Sequence, residues 1–124
     1  MNDLAGRISD AELEVMKVLW EARRELPVTL IREKLQERKG WEPTTIKTLV
    51  SRLAGKGVIS QEKCGVFYYK PLVTEQEYNE WVTNNLVDKV YQGNVKNLIA
   101  ALVNSDGLTP EDLKELREMF RVEE

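Results

Sequence analysis

The chain has 124 residues, 42% of them apolar and 31% charged, with a formal net charge of -3. That is enough apolar material for one domain or two small ones with real cores. No run of eighteen apolar residues is present, and MNDLAGRISD lacks the basic start and apolar stretch of a signal peptide, so a cytoplasmic protein is expected. There is no histidine and a single cysteine, Cys64. These counts exclude an internal disulfide and leave no imidazole for a zinc site or for acid and base work near neutral pH. With no glycine-rich phosphate loop and no paired nucleophile and base in view, no enzyme, metal or cofactor is expected.

Residues 8–22, ISDAELEVMKVLWEA, open on Ser9 and Glu12 spaced as a capping box, with Ile8 and Leu13 at staple positions. They predict a helix with a buried stripe of Leu13, Met16, Leu19 and Trp20. A short polar link from Arg23 to Pro27 follows. Thr29 then caps a second helix, TLIREKLQERKG, with Ile31 and Leu35 facing inward and Gly40 as its stop.

WEPTTIKTLVSRLAGKG, from Trp41 to Gly57, predicts a third helix with two faces of opposite use. At about 100° per residue, Ile46, Leu49, Val50 and Leu53 share one side, and Thr44, Lys47, Thr48 and Ser51 lie nearly opposite. The polar side carries hydroxyls and one long cation, with no carboxylate among them. Such a face can approach a polyanion closely. Pro43 suits the first helical turn, and Gly55 or Gly57 can end the helix. After Gly57 the pattern changes: VISQEK and VFYYKP, rich in β-branched and aromatic residues around Cys64 and Gly65, predict a two-stranded hairpin whose tip is Lys63 to Gly65.

The remaining third predicts three helices. Thr74 and Glu77 repeat the capping box and open a helix with the stripe Tyr78, Trp81, Val82, Leu86 and Val90, ended by Gly93. Val95, Leu98, Ile99, Leu102 and Val103 recur at helical spacing and predict a helix buried on a broad face. Thr109 and Pro110 start a last helix carrying Leu113, Leu116, Met119 and Phe120.

Charge divides the same way. Residues 1–72 hold 13 Lys or Arg against 10 Asp or Glu, and residues 73–124 hold 5 against 11. Between Arg38 and Lys63 there are 6 cations (Arg38, Lys39, Lys47, Arg52, Lys56, Lys63) against Glu42 and Glu62, a local patch of +4. Phosphate neutralisation is local, decaying within a Debye length of roughly 8 Å at physiological salt, so an acidic total does not forbid DNA binding.

The expected fold is mainly α with a small β-hairpin wing: a winged helix-turn-helix DNA-binding domain over residues 1–72, and a three-helix homodimerisation module over 73–124. Thr44, Lys47, Thr48 and Ser51 are expected along base edges, Thr45 and Arg52 on flanking phosphates, and Lys63 on the wing. The expected dimer interface comprises Tyr78, Trp81, Val82, Leu86, Val90, Leu98, Ile99, Leu102, Leu113, Leu116 and Phe120, because these helices carry more apolar surface than they hide alone. The competing reading is a winged-helix adaptor that uses the basic face for an acidic protein. A hydroxyl-rich face is poor material for a protein hot spot, which favours large aromatics.

ISDAELEVMKVLWE, WEPTTIKTLVSRLAGKGVI and LVDKVYQGNVKNLIAALV followed by GLTPEDLKELREMF closely resemble the penicillinase and methicillin-resistance repressors of the BlaI/MecI type, over nearly the whole chain and in the same order. The resemblance implies a homodimer on a palindromic operator, repressing a β-lactamase or related antibiotic-resistance operon and dimerising through its carboxy-terminal helices. Copper-responsive relatives carry a cysteine-rich metal motif, which a chain with only Cys64 lacks. In staphylococcal members a membrane sensor system triggers cleavage of an Asn-Phe bond, and the matching positions here are Ala101 and Leu102. The resemblance thus implies a sensor or protease partner while this pair departs from its cleavage sequence.

Overall fold

The computed structural model describes residues 3–119 and divides into two compact units, Met1–Val82 and Thr83–Glu124. After a short 3-10 segment over Asp3–Arg7, the first unit contains α1 (Asp10–Ala22), β1 (Leu26–Pro27), α2 (Val28–Lys39), α3 (Pro43–Gly55), β2 (Ile59–Cys64) and β3 (Val66–Pro71). α4 (Glu75–Val90) runs across the division, and α5 (Val95–Val103) and α6 (Pro110–Met119) lie in the second unit. Among the described residues no helix is long and apolar enough to cross a membrane, and no cluster of metal-binding side chains occurs.

The capping box at α1 forms as spaced: the Ser9 N–H donates to Glu12 Oε1 at 2.9 Å and the Glu12 N–H to Ser9 Oγ at 3.2 Å. Two of the otherwise orphaned donors at the helix start are thereby satisfied. Val15, Met16, Val18 and Leu19 of α1 meet Ile31 and Leu35 of α2 and Ile46, Leu49, Val50 and Leu53 of α3 in one core, closed by Leu26, Val58, Ile59, Tyr69 and Val73.

Three features of the first unit differ from the sequence reading. Thr29 does not cap α2. The helix starts at Val28 with Pro27 at its N-cap in extended conformation, φ -73° and ψ 157°, and no side chain bonds to its first turn. The link from Arg23 to Pro27 is not merely a connection, since Leu26 and Pro27 form a third strand paired antiparallel with Tyr69 and Tyr68, giving the sheet order β1-β3-β2. Burying Leu26 draws this segment into the sheet. The third difference is the boundary. The core of the first unit extends past Leu72, because the Trp20 indole donates to the Val73 carbonyl at 2.8 Å and stacks obliquely on Tyr78, with centroids 5.7 Å apart. Trp81 lies close against Gly6. The first turns of α4 therefore pack with the amino-terminal core, and the compact unit ends at Val82 instead of Leu72.

The capping spacings at α4, within the first unit, and at α6, in the second, also form. Glu77 N–H donates to Thr74 Oγ1 at 3.0 Å, and Asp112 N–H to Thr109 Oγ1 at 3.0 Å. α5 has no buried residue within the chain, contrary to the broad buried face expected of it. Val95, Ile99, Leu102 and Val103 are all exposed, as are Val82, Leu86 and Val90 of α4.

Candidate nucleic-acid interface

α3 follows from its sequence at both ends. Pro43 occupies its first turn, where a missing N–H costs nothing. Trp41 and Ile46 stand at staple positions and both pack on the core. At the far end the Gly57 N–H donates to Ala54 O and the Val58 N–H to Leu53 O, each at 3.1 Å, with Gly57 at φ +78°. This is a Schellman closure, and its accompanying apolar contact is supplied by Leu53 and Val58, both fully buried.

The helix divides as its spacing predicts. Ile46, Leu49, Val50 and Leu53 are buried, while Thr44, Thr45, Lys47, Thr48, Ser51 and Arg52 are all exposed. The structure thus gathers six of the seven candidate DNA contacts on one helix surface. The Thr48 hydroxyl donates to the Thr44 carbonyl at 2.9 Å. Its proton is engaged within the helix, so outward it offers a lone pair and a methyl group, the latter suited to a thymine methyl.

Lys63, the seventh, is exposed near the tip of the β2–β3 ribbon, where Gly65 at φ +79° allows the chain to reverse. The ribbon pairs Ile59 with Pro71, Gln61 with Tyr69 and Lys63 with Phe67. Lys63 Nζ lies 5.8 Å from the Phe67 ring centroid.

Electrostatically the interface is narrower than the +4 count implied. Arg38 is paired with Glu21 through two hydrogen bonds, and Lys39 Nζ lies 3.6 Å from Glu14. Lys56 donates to Glu12 Oε1 at 2.6 Å and to the Arg7 carbonyl at 2.9 Å. Half of the six cations are therefore engaged with carboxylates of α1. Lys47, Arg52 and Lys63 have no carboxylate within 4.0 Å among the described residues, and these carry the surface's positive potential.

Lys56 has a structural task that sequence spacing could not reveal. Glu12 is only 1% exposed. Burial pushes its carboxyl pKa up, but hydrogen bonds from Lys56 and from the Ser9 backbone and hydroxyl outweigh that effect and hold it below its ordinary value. The pair joins the end of α3 to the start of α1, and so fixes the reading helix on its support.

The proposed dimer residues fall into distinct environments. Tyr78 and Trp81 are half-buried against their own amino-terminal core. Val82, Leu86, Val90, Ile99 and Leu102 are exposed, and Leu98, Leu113 and Leu116 are half-buried. Phe120 lies outside the described residues. Ala101 and Leu102 are both exposed on α5.

Comparison with known proteins agrees with this architecture. The family model described as Penicillinase repressor matches residues 8–121. The methicillin resistance regulatory protein MecI of Staphylococcus aureus (strain N315) is 34% identical over 121 residues, 97% of this chain and 98% of that protein. The penicillinase repressor of Bacillus licheniformis is 35% identical over 115 residues, covering 92% and 89%. The solution structure of the DNA-binding domain of the repressor BlaI matches 58% of this chain and 88% of its own at 41% identity and a TM-score of 0.53. Monomeric Bacillus licheniformis BlaI in complex with the blaP half-operator matches 57% and 87% at 42% identity, with a TM-score of 0.51. With nearly the whole chain matched by the family model and by full-length relatives, this protein belongs to the penicillinase repressor family.

Proposed function

We propose that this protein is a DNA-binding transcriptional repressor and not an enzyme, placing α3 in the major groove of an operator. The observation that carries the reading is the exposed, carboxylate-free face of Thr44, Lys47, Thr48 and Ser51 on a helix whose opposite face is locked into the core. Support comes from family membership and from the related BlaI domain bound to a half-operator. Lys47 is assigned to guanine, where a cation donates to O6 and N7, and Arg52 and Thr45 to the flanking phosphates.

The protein acts as a homodimer on a palindromic site, so that two α3 helices meet successive major grooves about 34 Å apart. The apolar exposure of Val82, Leu86, Val90, Ile99 and Leu102 supports a second copy covering this surface. The regulated genes are a β-lactamase or related resistance operon, a reading supported by relatives named as a penicillinase repressor and a methicillin resistance regulatory protein. Repression is lifted through a membrane sensor or protease partner. The exposure of Ala101 and Leu102 supports access to α5, although the pair is not Asn-Phe.

The test is fluorescence anisotropy on the DNA upstream of the protein's own gene against a scrambled duplex, across a salt series. A preference of about 10³ or more, with one dimer per palindrome, is expected of a specific site. Equal, steeply salt-dependent binding to both duplexes and to duplexes from across the genome would reduce the basic face to backbone contacts. A single protomer per palindrome would refute the dimer alone.

A further inference from the structure

α1 ends on a residue poorly suited to end it. Arg23, its C-cap, holds φ 55° and ψ 26°, a left-handed conformation that glycine adopts freely and residues with a Cβ adopt at a cost. That arginine lines an open groove of about 820 Å³, a size within the range of small-molecule sites. The groove runs from the end of α1 along β3 to the start of α4, wholly within the first unit, and no residue of α3 or of the ribbon tip borders it. Leu19, Trp20, Tyr68 and Pro71 form its apolar wall. Trp20 is held by its ring contact with Tyr78 and by the bond from its indole N–H to the Val73 carbonyl. That N–H is its only polar group, so the ring brings no unmet donor to the groove. Arg23, Arg24 and Lys70 supply cations; all three are exposed, and none has a carboxylate within 4.0 Å among the described residues. Glu25 and Glu75 border the same groove and hold no cation within that distance either.

We propose that this groove binds a small organic carboxylate with a flat apolar body, the body lying along Trp20, Tyr68 and Pro71 and the carboxylate meeting the Arg23 guanidinium. The planar fork of a guanidinium accepts a carboxylate through two parallel hydrogen bonds. A wall already fixed in place lowers the ordering cost of binding. Three cations against two carboxylates leave one positive charge, which suits a single carboxylate; a polyanion such as a duplex backbone would meet Glu25 and Glu75 as well. A left-handed arginine costs stability that glycine would not, and strain of this kind gathers at binding sites. What Arg23 adds to the helix end is therefore its guanidinium. The assignment is independent of the repressor reading, since α3 lies outside the groove.

The experiment titrates the full-length chain with 2-naphthoate, following the indole N–H resonances of Trp20, Trp41 and Trp81 by NMR and the bound fraction by equilibrium dialysis. One saturable site per protomer is expected, with the Trp20 resonance moving and those of Trp41 and Trp81, which do not line the groove, holding still. The neutral 2-naphthylmethanol binds about tenfold more weakly, because it forfeits the charged hydrogen bonds. Arg23→Gly weakens 2-naphthoate binding by about the same factor, while its melting temperature stays level or rises, since glycine takes the left-handed conformation without strain. No saturable binding, equal affinity for the acid and the alcohol, or Arg23→Gly and Lys70→Gln variants that both keep wild-type affinity would each overturn the proposal. Tighter binding of 2-naphthyl phosphate would overturn the choice of a carboxylate. A last arm measures binding to random duplex DNA across a salt series: an unchanged slope is expected for Arg23→Gly, and a slope of log affinity against log salt lowered by about 0.9 per protomer would make the groove's cations phosphate contacts and overturn the small-molecule assignment.

Discussion

Replacing Lys56 with methionine keeps most of the apolar stem and removes the ammonium that donates to Glu12 Oε1 and to the Arg7 carbonyl. The carboxylate is then left 1% exposed with only Ser9 to stabilise it. Breaking a fully buried ion pair from one side costs about 3 to 5 kcal/mol. The Lys56 side chain is 35% exposed, so water already screens it, and the expected loss at pH 7 is discounted to about 2 kcal/mol. Because the folded-state pKa of Glu12 lies below its ordinary 4.5, the stability it contributes is fully present above that value and is lost as pH falls through the folded pKa. The gap between wild type and Lys56→Met must therefore narrow in acid. Urea unfolding of the full chain at fixed protomer concentration measures this, followed by fluorescence of Trp20, Trp41 and Trp81, all of which lie in the amino-terminal unit. With a slope near 2 kcal/mol per molar urea, the midpoint falls by about 1 M at pH 7. An equal shift at pH 7 and pH 3 would refute the electrostatic account and assign the loss to packing of the stem. In a double-mutant cycle with Glu12→Gln, a coupling below about 0.5 kcal/mol would refute the pairing itself.

Lys47→Ala should cost about 1 to 3 kcal/mol on operator DNA and relax the choice at one base pair, and equal loss on operator and random duplexes in the same anisotropy assay would make Lys47 a phosphate contact only. Gly57→Ala meets no atom within 4 Å, so its penalty is the left-handed φ of +78° alone, about 1 to 2 kcal/mol, read as a lowered urea midpoint; an unchanged midpoint would show that the helix end rearranges freely. Ile99→Glu places a charge on the exposed apolar surface of α5, and sedimentation at micromolar protein should show a dimer becoming a monomer with an unaltered circular dichroism spectrum, whereas an intact dimer would move the interface elsewhere.

The reading helix was legible because every local signal agreed. Its apolar period of 3.6, Pro43 at the start, Gly57 at the end and the hydroxyl-rich opposite face all specify the same object. The wing was legible for a similar reason, in the aromatic and β-branched residues on either side of Gly65. What escaped was fixed by partners distant in sequence. Leu26 and Pro27 are too few for any periodicity, and they become a strand only because β3 lies beside them. Thr29 has the chemistry of a cap, but Pro27, already extended, turns the chain into α2 two residues earlier. The link from Glu12 to Lys56 spans 44 residues, and that from Trp20 to Val73 spans 53. Neither has a spacing rule. Counting charges along the chain consequently overstated the free basic patch, and reading α4 as one amphipathic stripe left out the packing of Tyr78 and Trp81 on their own amino-terminal core.

On the dimer reading, the bare surface of α5 ties the protein's stability to its abundance. A helix that buries none of its residues within its own chain depends on mass action for protection, and a dimer's stability is inseparable from protomer concentration. On the dimer reading, dilution uncovers α5, including Ala101 and Leu102, in the separated protomers. Operator occupancy on that reading falls more steeply with concentration than the affinity of a preformed dimer would give, because dilution also separates the protomers.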